Sequence, residues 1–506
     1  MSVINEVSQV MIQKGYRVPT TSIYQKMREW VDFYQGEVVD FHRFNLKTID
    51  GRNHTVQKPS LNIMKLICET YSSLMWNENS GLQVDESNQD KLDEIINDNN
   101  LYTELSIFFE KTALYGTGVA IEYIADKKTK VGFSYGDTLV ITDYHNTTPS
   151  GIVVLQRVMK NKKYYTHLTI HTFKDGTYRV EHEVYESKTQ SKLGTKKPTL
   201  RPVFTVAESN KFKHIITDKD GSKDVVFYME YQTDTPYFQV FKYNIANNFD
   251  FSPLGISVAA NEIGLLKSID DKFYSSIEDS INSRKKIFFD DQSSKSEVVK
   301  SYDAENNDIV NSYVEYLDRD QTLYKTANLG DSDKKLEIYD PTYEPETHNT
   351  AIQFDLNLIS LKCGLGKNYF NFDEGGVYVN EANVFSSNSD MWRNRQANAN
   401  LVKTFLTNMM KAIMSLEEIN NKEYVVQLDD SMIINDEQRL TEMKADSNEG
   451  YVAKWRYVAE RYNLTDDEAK KWVAEAQEEK DDAFISFAEN VEDTDDDDEE
   501  EETDDE

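Results

Sequence analysis

The 506 residues are 39% apolar and 12% aromatic, enough to bury a large core spread over several domains and too much for a disordered polymer. Fifty-six Lys and Arg stand against 89 Asp and Glu, a formal charge of −33 that opposes adhesion to a phosphate backbone, since that affinity comes from cationic side chains displacing counterions. No run of about 18 apolar residues occurs, and the start MSVINEVSQVMIQKGYRV has neither a basic segment nor a long apolar core, so a soluble protein without leader or membrane span is expected.

Residues 22–35 carry Ile23, Met27, Trp30, Val31 and Tyr34 at spacings of three and four, which predicts an amphipathic helix closed by Gly36. Residues 61–76 repeat the pattern through Ile63, Leu66, Ile67, Tyr71 and Leu74, with Ser60 as the expected N-cap. A further helix is expected over 101–114, stopped by Gly116 and Gly118. From 119 to 243 the texture changes to Val, Thr, Tyr and Phe in alternation, as in YYTHLTIHTF, and predicts antiparallel strands. The basic loop 188–201 inside this region lacks interleaved aromatic residues and reads as solvated surface.

The central stretch is the most informative. Residues 261–282 place Leu265, Ile269, Phe273, Ile277 and Ile281 four apart, predicting a helix of about 33 Å. A mixed segment with strand-like KKIFF and DKKLEIYDP follows, and then a second helix over 347–363, with Ile352, Leu356, Ile359 and Cys363 on one stripe. Pro345 suits its first turn and Gly364 its end. Two helices thus bracket an excursion. After the glycine-punctuated loop 364–379 comes an unusually long helix, 380–416, with Trp392, Leu401, Phe405, Met409 and Ile413 as candidate buried positions. A strand at 424–428 and two more helices follow, one opened by the capping box Thr465-Asp466-Asp467-Glu468. From Val491 to the end, 13 of 16 residues are Asp or Glu, a block that repels itself and is expected to be disordered and solvated.

Catalytic patterns are mostly missing. Gly364-Leu365-Gly366-Lys367-Asn368 has neither the spacing nor the hydroxyl of a phosphate-binding loop, and no HExxH, paired CxxC or GxSxG occurs. His167, His171 and His182 could approach one another on strands as metal ligands, though ordinary strand histidines are the simpler reading, and Asp429, Asp430 and Asp436 could form a paired-carboxylate or metal site, though turn-forming and capping roles are simpler. Cys68 and Cys363 each lie in an apolar helical pattern and are expected as buried free thiols. No catalytic residue, metal or cofactor is expected.

Four stretches give the sequence a resemblance to a known family: MREW through Tyr34-Gln35-Gly36, SLNIMKLICETYSSLMWNE from Ser60, SPLGISVAANEIGLLKSIDDKFYSSIEDSI from Ser252, and the GLG loop leading into VNEANVFSSNSDMWRNRQ from Val379. In order and spacing they resemble the portal proteins of long-tailed (siphovirus-type) bacteriophages of Gram-positive bacteria. The last departs from the family's Thr-Ala-Thr-Glu-Val in reading Val379-Asn380-Glu381-Ala382-Asn383-Val384.

The resemblance implies an α+β chain that assembles into a ring of about twelve subunits around an axial channel. Residues 1–250 would form a wing with its β-rich part at about 119–243, 251–283 a first stem helix, 284–344 an α/β clip, and 345–363 a second stem helix. Residues 364–379 would be the tunnel loop, 380–422 a long wing helix, 423–482 a helical crown and 483–506 a disordered acidic tail. It implies a non-enzymatic conduit at one capsid vertex of the virion, assembled in the host cytoplasm, through which double-stranded DNA is packaged and ejected. The terminase large subunit, a head-completion adaptor, and major capsid and scaffolding proteins would be its partners, and no membrane is involved. Lys367, Asn368, Tyr369, Asp373 and Glu374 would face the duplex, making transient, sequence-independent contacts. Arg284, Lys285 and Lys286, the strongest basic cluster near the stem-to-clip junction, could touch DNA or a neighbour's acidic side chain. A duplex carries about one negative charge per 1.7 Å, so an acidic ring would leave it mobile where a basic one would grip it. A metal-dependent nuclease built on Asp429 and Asp436, or a chaperone of basic proteins acting through the acidic tail, are the alternatives.

Overall fold

Apolar residues three and four apart put the N-terminal helices face to face. The computed structural model describes residues 3–19, 22–47, 53–146, 148–201, 203–217, 223–290, 299–303, 308–312, 323–326, 336–367, 369–370, 381–428, 436–462 and 464–477. They fall into two compact units, Met1–Leu428 and Asp429–Glu506. The first begins with α1 (Val3–Gln13), α2 (Ile23–Tyr34), the single turn α3 (Val39–His42), and the hairpin of β1 (Arg43–Lys47) and β2 (Asn53–Gln57). Then come α4 (Ile63–Met75), β3 (Gly81–Val84), α5 (Glu86–Asp98) and α6 (Leu101–Tyr115). α4 and α6 pack together, the Ser72 hydroxyl donating to the Ser106 carbonyl at 2.6 Å, and Ile67, Tyr71, Leu105 and Phe109 are buried. α6 ends at Gly116, whose φ of +78° closes the helix in the left-handed conformation.

The β-rich region consists of β4 (Gly118–Ala125), β5 (Lys128–Tyr135), β6 (Leu139–His145), β7 (Thr148–Lys160), β8 (Lys163–Lys174), β9 (Thr177–Ser187), β10 (Thr195–Lys196), the short α7 (Val206–Phe212), β11 (Lys213–Thr217), β12 (Lys223–Gln232) and β13 (Phe238–Phe241). A seven-stranded sheet runs β11-β12-β9-β8-β7-β6, with β10 added to β9, and a three-stranded sheet runs β13-β4-β5. Every pairing in both is antiparallel. In β7 the whole run from Ile152 to Leu155 is buried because both faces are covered, which turns alternation into a continuous apolar stretch. Val153 and Leu155 pack against Val3, Ile4, Val7 and Met11 of α1. Ile152 and Val154 pack against Val119, Tyr237, Phe238 and Ala412. The sequence reading assigns no helix to residues 3–13, although Val3, Ile4, Val7 and Met11 have helical spacing.

The rest of the first unit comprises α8 (Ile263–Asn282), β14 (Lys286–Asp290), β15 (Val299–Asp303), β16 (Asp308–Ser312), β17 (Leu323–Thr326), β18 (Leu336–Tyr339), α9 (Pro345–Lys362), α10 (Glu381–Leu416) and β19 (Tyr424–Gln427). β14 lies between β17, parallel to it, and β18, antiparallel to it, while β15 and β16 form a hairpin. β19 pairs with β3, joining residues 424–427 to 81–84. The 36 residues of α10 extend about 54 Å. Phe405, Met409 and Ile413 are buried as expected, but Trp392 is 44% and Leu401 38% exposed. The buried stripe instead passes through Met391, Arg395, Asn398, Val402 and Phe405, and its two polar members disguise it in the sequence. The Arg395 Nε–H donates to the Leu74 carbonyl at 3.3 Å, and Asn398 Oδ1 accepts the Asn244 N–H at 2.7 Å.

The second unit contains α11 (Asp436–Glu449), α12 (Lys454–Tyr462) and a helical stretch at 466–477. Glu468 accepts both the backbone N–H (3.1 Å) and the hydroxyl (2.8 Å) of Thr465, supplying the side-chain half of the expected capping box. A complete box, beyond the one expected, stands at Thr205 and Glu208 before α7.

Candidate functional site

The two helices predicted to bracket an excursion pack against each other as an antiparallel pair. Lys362 meets Glu262 at 2.7 Å, Ser268 and Lys272 both donate to Asp355 Oδ2 at 2.7 Å, Lys272 also reaches the Ala351 carbonyl at 3.1 Å, and Asp279 meets His348 at 2.9 Å. Leu266, Ile269, Leu356 and Ile359 are buried near the root of the pair. Farther out, Phe273, Ile277 and Ile281 of the predicted stripe are only half-buried, and the polar contacts above tie the helices together. The Asp355 carboxylate is 6% exposed, so its ion pair escapes the screening that makes surface pairs nearly worthless.

The root of α8 is held by a buried carboxylate. Asp270 Oδ2 lies 3.0 Å from His42 Nε2 and accepts the Ser60 hydroxyl at 2.9 Å, and Oδ1 accepts the Leu61 N–H at 2.9 Å. His42 Nδ1 accepts the Val38 N–H at 2.8 Å, which leaves its proton on Nε2, pointing at Asp270. Ser60 is thus not the N-cap of α4. That position belongs to Asn62 in a left-handed conformation (φ 57°), and Ser60 instead links Asp270 to the Asn62 N–H at 3.1 Å. Beside this clasp Lys58 pairs with Asp271, and its ammonium sits 4.5 Å from the ring centre of Phe41, 5.1 Å from that of Phe44 and 5.9 Å from that of Tyr274. Residues from α3, from the connection between β2 and α4, and from α8 meet here with no fixed spacing, so no sequence motif announces the clasp.

At the outer end three residues connect α8 to β14 and five connect β18 to α9, with Lys286 opposite Tyr339 in the ladder. Of the predicted junction residues, Arg284 is exposed, Lys285 lies 3.9 Å from Asp340 with both side chains more than half exposed, and Lys286 is half-buried at the start of β14. Of the predicted loop residues, Lys367 is exposed, and Tyr369 is 42% exposed with its ring edge-on to Phe370 at 5.1 Å. The loop start is tied to α9 by Gln353, whose amide donates to the Phe370 carbonyl at 3.1 Å. Asn368, Asp373 and Glu374 lie outside the described residues. Cys363, where α9 ends, is buried, and burial pushes its thiol up to about 12; Cys68 is likewise buried, free and shifted well upward.

Among the described residues no three His, Cys, Asp or Glu side chains converge as metal ligands. His167 and His182 face each other at 3.1 Å, whereas His171 is bonded to the Tyr178 hydroxyl at 2.7 Å. Burial lowers His167 and His171 to about 3 and His182 to about 4, so all three are neutral imidazoles in the sheet interior at neutral pH. Asp429 and Asp430 lie outside the described residues, as does the side chain of Asp436. No described helix is long and apolar enough to cross a membrane.

No protein-family model matches this chain, and no curated protein does. Among solved structures it is similar to a chain in the virion of a native gene transfer agent particle, with a TM-score of 0.37 and 10% identity over 79% of this chain and 88% of that one. It is also similar to a chain in the neck of a native gene transfer agent particle computed with C12 symmetry, with a TM-score of 0.36 and 11% identity over 79% of this chain and 88% of that one.

Proposed function

We propose that this chain is the subunit of a portal ring, the conduit for double-stranded DNA at one vertex of a bacteriophage capsid. The observation that carries this reading is the antiparallel pair of α8 and α9, clasped at its root through Asp270 and continued at its outer end by the pairing of β14 with β18. A rigid two-helix strut leading to a small strand-built excursion suits a stem and clip, and four sequence stretches in the order of the portal family fall on α2, α4, α8 and the approach to α10. In this reading 284–344 docks the terminase large subunit and later the head-completion adaptor. Lys367, Asn368, Tyr369, Asp373 and Glu374 touch passing DNA, Arg284, Lys285 and Lys286 mark the stem-to-clip junction, and residues 423–482 form the crown.

The chemistry required is mechanical. A chain of charge −33 provides little counterion release, so the duplex slides, and the driving force belongs to another protein. Sedimentation velocity on the purified full chain, followed by negative-stain microscopy of the fastest species, tests the proposal. Rings with a central hole are expected, and a species that stays monomeric at every protein and salt concentration would overturn it.

A further inference from the structure

The charge of the first unit is distributed unevenly. Between Lys188 and Lys213 the chain carries seven Lys or Arg and one acidic residue, against −33 overall. Residues 190–193 of this segment lie against β7 and α1, where Arg157 donates to the Gln190 carbonyl and Leu193 to Glu6, and the part from Lys196 to Lys213 reaches the end of the seven-stranded sheet where β11 is the edge strand. Lys196, Lys197 and Lys223 line a cleft of about 420 Å³ together with Glu181, Glu183 and Asp224, and it adjoins a second of about 330 Å³ lined by Arg201 and Lys213 with no carboxylate among its described lining residues. The two share Pro198, Val225 and Phe227. Lys196 and Lys197 are paired with Glu183 and Glu186. Lys188, Lys192, Arg201, Lys211, Lys213 and Lys223 are exposed and have no ion-pair partner among the described residues. Between Lys213 and Lys223, β11 exposes Ile215 (63%) and Ile216 (41%).

The opposite charge is gathered elsewhere. α5 turns Glu86, Asp90, Asp93 and Glu94 outward at helical spacing, with Lys91 alone among them and already paired with Glu94 and Glu417. α5 packs on β5, whose chain continues into β6, and β6 is the edge of the seven-stranded sheet away from β11. Five inter-strand steps of about 4.8 Å separate β6 from β11, roughly 24 Å. A cyclic ring needs two different, complementary patches on separate parts of each subunit, because every copy offers one to the neighbour on its left and the other to the neighbour on its right. Copies that are each strongly acidic repel one another unless such patches meet.

We infer that the basic edge formed by Arg201, Lys213 and Lys223 is an interface that docks a second copy of this chain through the acidic face of its α5. The inference rests on the ring reading and adds to it which surfaces touch. Its chemistry makes assembly sensitive to salt, since the Debye length falls from about 10 Å at 0.1 M to about 3 Å at 1 M.

The test uses the full chain and measures the fraction in rings by light scattering after gel filtration, across that salt range. The variant R201E/K213E/K223E changes only exposed side chains. It is expected to lower the ring fraction at least tenfold at low salt while leaving the thermal melt unchanged. The second variant E86K/D90K/D93K should do the same, and the two combined in one chain should restore rings. Rings undiminished in both triple variants would overturn the inference while leaving the proposed function intact. So would rings that persist in the basic-edge variant alongside a loss of duplex DNA binding, an outcome that assigns the patch to nucleic acid. Absence of rings in the unmodified chain would overturn both.

Discussion

Replacing Asp270 by Ala removes the acceptor for the His42 imidazole N–H, the Ser60 hydroxyl and the Leu61 N–H. A buried donor left without a partner costs about 1–3 kcal/mol. His42 is 1% exposed and bears the upper part of that range, whereas Ser60 and Leu61 are half-buried and regain water, so about 4 kcal/mol is expected in all. The loss falls on the root of α8, where hydrogen exchange reads it directly: peptides from Ile263–Asn282 should exchange about a thousandfold faster in the variant, since 1.4 kcal/mol is a factor of ten. Asp270→Asn keeps one acceptor oxygen but turns an amide donor toward other donors, and about 2 kcal/mol, some thirtyfold in exchange, is expected. The double variant with His42→Ala should show coupling of at least about 1 kcal/mol with Asp270→Ala, because the two side chains share one bond. Exchange in α8 that rises less than about fivefold in Asp270→Ala would refute the view that this carboxylate anchors the strut.

The buried ionisable groups of the β-rich region should give stability an optimum in pH. His167, His171 and His182 are depressed to about 3, 3 and 4 from 6.5, so their contribution is complete above pH 6.5 and is lost as pH falls toward those values. At pH 5 His171 alone accounts for about 2 kcal/mol, and His171→Gln should flatten the acid limb of a denaturation series by one proton. Glu122, 2% exposed with neither carboxylate oxygen hydrogen-bonded among the described residues, is raised well above 4.5 by burial, so its cost appears as pH rises. Glu122→Gln should therefore raise the melting temperature at pH 8 and leave it nearly unchanged at pH 4. Gly116→Ala sets a Cβ 2.5 Å from the backbone of Gly255 and Ile256 at a φ of +78°, and more than about 2 kcal/mol of destabilisation is expected in a thermal melt. Phe108→Ala, which removes a fully buried ring stacked on Phe405 at 5.1 Å, should cost about 3–5 kcal/mol in chemical denaturation, against under about 1 kcal/mol for Trp392→Ala.

The helices most legible in the sequence are those whose apolar stripe is uninterrupted, as in α2, α4 and α6, and the limits of α8 and α9 follow from spacing, Pro345 and Gly364. Legibility fails where a buried stripe has polar members. Arg395 and Asn398 are buried because each bonds to backbone atoms of a distant segment, so α10 appears to turn Trp392 and Leu401 inward when it does not. The clasp around Asp270 is invisible for a related reason: its donors come from residues 42, 60 and 61, over two hundred positions away, and Asp270 resembles any other charge on an amphipathic helix. The basic loop 188–201 reads as solvated in sequence, yet Leu193 and Leu200 are buried and Lys196 and Lys197 are paired, which makes the segment a built surface.

The central claim is that the paired helices line a channel. Cryo-electron microscopy of the assembled full chain tests it most directly. The account predicts a closed ring in which the pairs Ile263–Asn282 and Pro345–Lys362 surround an axial hole wide enough for a duplex. A closed assembly with those helices on its outer surface, or a particle without a channel, would contradict it.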